Sequence, residues 1–164
     1  STFHSRGEFE QARPNLFAFR FSEPKGDVIV SDGRHVWAYL PSSTPGRVTR
    51  MPLSSDAAGS LDLIGEFFTN PRSRYAIGDG GAATVGGRAV HVVMLSPKER
   101  DAAFVRAKVW IDPEDGSLAQ FEAEEHSGIT RLVRITRFLP NVPVSRNAFT
   151  FTPPKGVEVV DYKR

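Results

Sequence analysis

Along most of the chain, apolar side chains recur every second residue in short runs that are interrupted at regular intervals by Gly, Pro, Asn and Asp. A period of 2 places successive side chains on opposite faces of a strand, so the pattern predicts a mostly antiparallel β protein. The runs fall at residues 2–12, 15–22, 27–32, 34–40, 46–51, 74–78, 82–85, 88–95, 104–111, 117–125, 129–138 and 157–161. Asp32-Gly33 and Asp115-Gly116 sit between consecutive runs and supply the positive-φ residue of a tight hairpin turn. Gly78-Asp79-Gly80-Gly81 and Gly86-Gly87 read as a flexible hairpin region. One stretch departs from this period: Leu61, Ile64, Phe67 and Phe68 form a helical stripe within Ser54 to Asn70, which predicts one helix ended by Asn70-Pro71.

Two of the predicted strands are apolar on both faces. Phe17, Phe19 and Phe21 project from one side of a strand whose other side carries Leu16 and Ala18, and on a later strand Val36, Ala38 and Leu40 oppose Trp37 and Tyr39. A half-exposed antiparallel sheet needs one apolar face only, so a second apolar face must be covered. The predicted helix is the obvious cover. Patterning leaves two arrangements open: a packed two-layer core, or a curved sheet around an apolar cavity that holds a ligand.

Length and composition narrow the classes of function. The chain has 164 residues, 40% of them hydrophobic and 24% charged, which fits one globular domain. Lys+Arg 21 against Asp+Glu 19 leaves a formal net charge of +2, far from the dense positive field of a nucleic-acid binder. No apolar run approaches the ~18 residues of a membrane span. The N-terminal Ser-Thr-Phe-His-Ser lacks a signal-peptide core, so any export signal is expected to have been removed already.

Candidate chemistry is sparse. With no Cys, disulfides, thiolate metal sites and Cys nucleophiles are all excluded. His4, His35, His91 and His126 are far apart and lack the spacing of metal ligands, so no metal or other cofactor is expected. Glu122 and Glu124 alternate with Phe121 and Ala123 and read as a solvated strand face, with Glu125 beside them. Gly78-Asp79-Gly80-Gly81 lacks the Lys-Ser/Thr and the strand-to-helix context of a phosphate loop and reads as a turn. No nucleophile elbow or zinc-protease motif occurs, and an enzyme is not expected.

Two segments carry a resemblance. Arg13-Pro14-Asn15-Leu16-Phe17, followed by the run from Val28 to Tyr39 around Ser31-Asp32-Gly33-Arg34-His35, is similar to the signature of the outer-membrane lipoprotein carrier protein family, LolA. The end of the chain, Phe149-Thr150-Phe151-Thr152-Pro153-Pro154-Lys155-Gly156-Val157-Glu158-Val159, resembles the end of the same family. The intervening hairpins extend the match over nearly the whole chain, although residues 54 to 103 agree in pattern only.

The resemblance implies an open, incomplete antiparallel β-barrel of about eleven strands with a short helical lid, in a single domain over residues 1–164. It implies a periplasmic chaperone, expected as a monomer, whose apolar cavity takes the acyl chains of lipoproteins. Its partners would be acylated lipoproteins, an inner-membrane ABC transporter that loads them and an outer-membrane receptor that accepts them, with no nucleic acid. Arg13 matches the family's Arg before Pro, whose guanidinium is understood to hold lid carbonyls and keep the empty cavity shut. Phe17 matches an aromatic at the cavity mouth, and the expected lining is Phe17, Phe19, Phe21, Trp37, Tyr39, Ile64, Phe67 and Phe68. Twelve residues precede Arg13, so the family's N-terminal helix and first strand are expected to be missing. A lipid-binding or sensor domain of the same fold with a different ligand is the alternative.

Overall fold

The computed structural model describes residues 2–54, 64, 67, 69–100 and 102–162. Eleven strands are found among them, and the protein is mostly β, as the alternation predicts. They form two sheets, and neither closes on itself. The open β architecture expected from the sequence is therefore the one observed. The chain divides into two compact units, Ser1–Glu66 with Val142–Arg164, and Phe67–Asn141.

The first unit holds β1 (Arg6–Ala12), β2 (Leu16–Glu23), β3 (Val28–Asp32), β4 (His35–Tyr39), β5 (Arg47–Pro52) and β11 (Glu158–Asp161), in the order β1-β2-β3-β4-β5-β11. β1 to β5 form an antiparallel meander, because each joint is short enough for neighbours to pair. β11 departs from the antiparallel expectation and runs parallel to β5. Its register sets Glu158 opposite Arg47 and Asp161 opposite Arg50, and Arg50 Nε donates to Asp161 Oδ1 at 2.6 Å. These ion pairs are exposed, so they select the register and add little stability.

The β3–β4 hairpin shows why Asp32-Gly33 specifies a turn. Gly33 takes φ 90°, and Asp32 Oδ1 accepts hydrogen bonds from the Arg34 and His35 N–H groups, both at 2.8 Å. Asp32 Oδ2 accepts from the Trp37 indole at 2.9 Å. Burial alone would raise the Asp32 pKa, but the hydrogen bonds from His35, Trp37 and Arg34 outweigh it and hold the carboxyl below its ordinary value.

The second unit holds β6 (Tyr75–Val85), β7 (Arg88–Pro97), β8 (Arg106–Ile111), β9 (Leu118–Glu124) and β10 (Thr130–Arg134), in the order β10-β9-β8-β7-β6. Here the sequence reading is corrected in one place. The runs expected at 74–78 and 82–85 join in a single strand, β6, and Gly78-Asp79-Gly80-Gly81 holds a β-bulge inside it instead of a turn. Gly81 supplies φ 82°, and its N–H donates to Asp79 Oδ1 at 2.8 Å. Two residues then oppose one without ending the ladder. Gly86 and Gly87, with φ 56° and 79°, make the β6–β7 hairpin turn as expected.

The predicted helix from Ser54 to Asn70 falls almost entirely outside the described residues. Asn70-Pro71 is more than a stop, since it opens a short helix, α1 (Pro71–Arg74), with Asn70 as N-cap and Pro at its first turn, where the missing N–H costs nothing. No helix among the described residues is long and apolar enough to cross a membrane.

Candidate functional site

The register of the first unit sorts its apolar residues into two faces. Phe17, Phe19 and Phe21 of β2 share one face with Phe9 of β1, Ile29 of β3, Val36 and Ala38 of β4 and Met51 of β5. Phe17, Val36 and Met51 are buried and form its centre, while Phe9, Phe19 and Phe21 are half-buried. The phenyl rings run as a row, with Phe9 6.3 Å from Phe17 and 6.1 Å from Phe19, and Phe19 4.2 Å from Phe21. Its one polar residue at the centre, Ser31, is satisfied by donating its hydroxyl to the Asn15 carbonyl at 2.6 Å. Charges on this face are confined to the far strands, at Arg47 and Glu158.

Trp37 and Tyr39 do not belong with those phenylalanines. They were expected in one lining, but successive side chains of a strand point to opposite faces, and the β3–β4 pairing puts both rings on the other side of the sheet. There they pack on Phe151, with centroids 5.8 and 6.0 Å away. The Arg50 guanidinium lies over the Trp37 ring at 5.5 Å. The C-terminal segment covers this second face: Phe149 is buried against Ala18 and Val30, with Val144, Ala148 and Phe151 around them. A 3-10 turn, Arg146–Phe149, delivers Phe149, and Arg20 donates to the Ala148 carbonyl at 2.6 Å to hold the turn down. This segment is thus a cover of the second face.

In the second unit, Phe67 is buried, 5.4 Å from Phe104 and 4.9 Å from Phe121, and Phe104 stacks on Tyr75 at 5.5 Å. The β7–β8–β9 register puts Phe121 on the same face as Leu95, Ala107 and Val109, all buried. Val90, Ala119 and Val85 form a separate cluster with Trp110. Ile64 is half-buried in the first unit, and Phe68 lies outside the described residues. Phe9, Phe104 and Tyr75 escaped the sequence reading, although the alternation of Phe9 with Glu8 and Glu10 was a usable signal.

Arg13 is exposed at the β1–β2 turn and makes no hydrogen bond or ion pair with another described residue. His91 Nε2 is 2.7 Å from Asp79 Oδ1, and the Asp79 pKa is lowered by the Gly81 N–H and then by His91. Among the described residues no three His, Asp or Glu side chains gather where they could hold a metal ion. Glu124 and Glu125 are engaged by Arg106 and Arg131, which makes them partners in strand pairing and not an acid/base pair.

An open β sheet with one aromatic face, charged only on its far strands, and a second face covered by the chain's own C-terminal segment defines a class of open β domains that present an apolar surface. The comparisons identify the member. The family model for the outer membrane lipoprotein carrier protein LolA matches residues 1–61. The outer-membrane lipoprotein carrier protein of Haemophilus ducreyi is 31% identical over 97% of this chain and 70% of its own length. That of Cupriavidus necator is 30% identical over 95% of this chain and 70% of its own length. The chain belongs to this family. The crystal structure of an uncharacterized conserved protein from Thermus thermophilus shares the fold, with a TM-score of 0.55 at 14% identity, over 90% of this chain and 76% of that one.

Proposed function

We propose that residues 1–164 act as one carrier domain that shields the acyl chains of lipoproteins during transfer through the periplasm. The transfer runs from an inner-membrane ABC transporter to an outer-membrane receptor. The observation that carries the reading is the row Phe9, Phe17, Phe19 and Phe21, contiguous, partly exposed and without a charge beside it. Each acyl CH₂ taken out of water gains about 0.8 kcal/mol, so long chains need an apolar shelter and no catalyst. Phe67, Phe104, Phe121 and Tyr75 are buried together, so in the second unit the aromatic rings form core.

Arg13 is the latch in this scheme. Its five donors cannot be deprotonated, and carbonyls at a helix end have spare acceptor capacity, so a bond between them would favour a closed lid. Closing lowers cargo affinity by the free energy it supplies and helps to eject cargo at the receptor. The test is a transfer assay from membranes bearing an acylated lipoprotein to the soluble carrier and on to receptor. Phe19→Asp is expected to cut loading at least ~tenfold, since it places a carboxylate among acyl chains. Arg13→Leu is expected to load normally and to stall at release, the closed state having lost about 1.5 to 3 kcal/mol of charge-assisted hydrogen bonding. Parental loading by Phe19→Asp would remove the acyl site from this face, and parental release by Arg13→Leu would remove the latch.

A further inference from the structure

β10 ends the second sheet, and its outer edge is both regular and exposed. The hydrogen bonds to β9 say which groups face outward. Ile129 accepts from the Glu125 N–H at 2.8 Å, and the Ile135 N–H donates to Ala119 at 2.9 Å. Residues 129, 131, 133 and 135 therefore point their backbone groups toward β9, and Thr130, Leu132 and Arg134 point theirs away from it. These three residues are exposed, Leu132 at 54%, and so is Ile129 just before them, at 59%.

An edge of this kind is a template for another strand, and proteins usually blunt it with charge, proline or a bulge. The only such devices here are arginines. From His126 to Ser145 the sequence carries Arg131, Arg134 and Arg137 and no Asp or Glu. Arg131 pairs with Glu125 at 2.7 Å and Arg134 Nε donates to Gln120 at 3.2 Å, while Arg137 is exposed without an ion pair to a described residue. The acids on β9 are already matched, with Glu124 bound by Arg106 and Glu122 facing Lys108 across the ladder. The edge thus presents uncompensated positive charge. A second copy of the chain would double that charge along one ribbon, which disfavours self-pairing.

Val133 ties the edge to the aromatic face. It sits opposite Phe121 in the β9–β10 register, on the face where Phe121 meets Phe67.

We infer that the outer edge of β10 takes an acidic, extended segment of the cargo as an added antiparallel strand. This rests on the carrier reading and deepens it. Backbone bonds to Thr130, Leu132 and Arg134 would supply affinity for any extended chain, and Arg134 with Arg137 would select for acidic residues. Acyl binding alone would leave cargo free to swivel; strand addition fixes how its folded part hangs from the carrier.

The probe is a short synthetic peptide in which Glu alternates with Val and Thr, compared with the same peptide carrying Lys for Glu. The full chain is expected to bind the Glu peptide about tenfold more tightly and to lose that preference as salt rises. Amide exchange should slow at Thr130, Leu132 and Arg134. Leu132→Pro removes an outward N–H that the fold does not use and should abolish this protection, while the Arg134→Glu, Arg137→Glu double variant should invert the charge preference. Equal binding of the two peptides, protection elsewhere, or self-association of the chain through β10 would overturn the inference. Diacylated forms of both peptides separate the two readings. If neither binds the parent chain, the carrier reading fails; if both bind equally well, that reading stands and the β10 edge has no role.

Discussion

Asp32 shows how much one side chain can organise. Its carboxylate accepts from two backbone N–H groups of the β3–β4 turn and from the Trp37 indole, so it fixes a hairpin and one aromatic ring together. Replacing it leaves three donors short of partners in a half-buried turn. Asp32→Ala is expected to cost about 1–3 kcal/mol, measured by urea denaturation at neutral pH. The pH dependence follows from the direction of the shift. The folded pKa lies below the unfolded one, so this contribution is complete above the unfolded value of about 4 and is lost as pH falls through the folded value. Acid titration should therefore narrow the gap between the parent protein and Asp32→Ala; a gap independent of pH would show that the carboxylate is not the source of the stability.

At the scale of elements, β6 separates two glycines that look alike in sequence. A Cβ on Gly80 would sit 2.7 Å from Val92 Cγ1 and 3.0 Å from the Val92 carbonyl oxygen, whereas one on Gly78 would meet Met94 at an ordinary 3.5 Å. Val92 is buried and cannot retreat. Gly80→Ala is expected to destabilise by about 1–3 kcal/mol through overpacking, and Gly78→Ala to be neutral or stabilising because it removes chain entropy from the unfolded state. Thermal denaturation of the pair decides this, and equal effects would mean that the bulge absorbs the methyl. The same strand shows where pattern reading failed: four residues rich in Gly and Asp have the composition of a turn, and only the partner strand β7, continuous across them, makes them a bulge.

For the whole molecule, chain ends matter more than the alternation implies. Val142–Arg164 rejoins the unit that begins the chain, where Phe149 and Phe151 cover one sheet face and β11 adds to β5. Phe149 is buried at 2% exposure. Phe149→Ala should cost about 3–5 kcal/mol, as large core truncations do. Amide exchange should accelerate in β1–β5 and β11, with β6–β10 much less affected, if the two units hold their cores separately. Uniform acceleration across all eleven strands would show one cooperative core instead.

Hydrophobic alternation by itself determined the β class, ten of the strand positions closely, and the hairpins at Asp32-Gly33, Gly86-Gly87 and Asp115-Gly116, because these depend on neighbours in sequence. It also brought Phe17, Phe19 and Phe21 to one face, since strand geometry requires it. The RPNLF segment and the C-terminal FTFTPP segment carried the family. What alternation could not determine is what covers each face. Trp37 and Tyr39 have the hydrophobicity of a lining, but whether an apolar ring faces a ligand or another part of the chain depends on which distant segment arrives there. Phe151, more than a hundred residues later, arrives on theirs. The parallel seat of β11, the bulge in β6 and the open edge of β10 belong to the same kind: each is a choice of partner made across the fold, and long-range pairing leaves little trace in a local pattern.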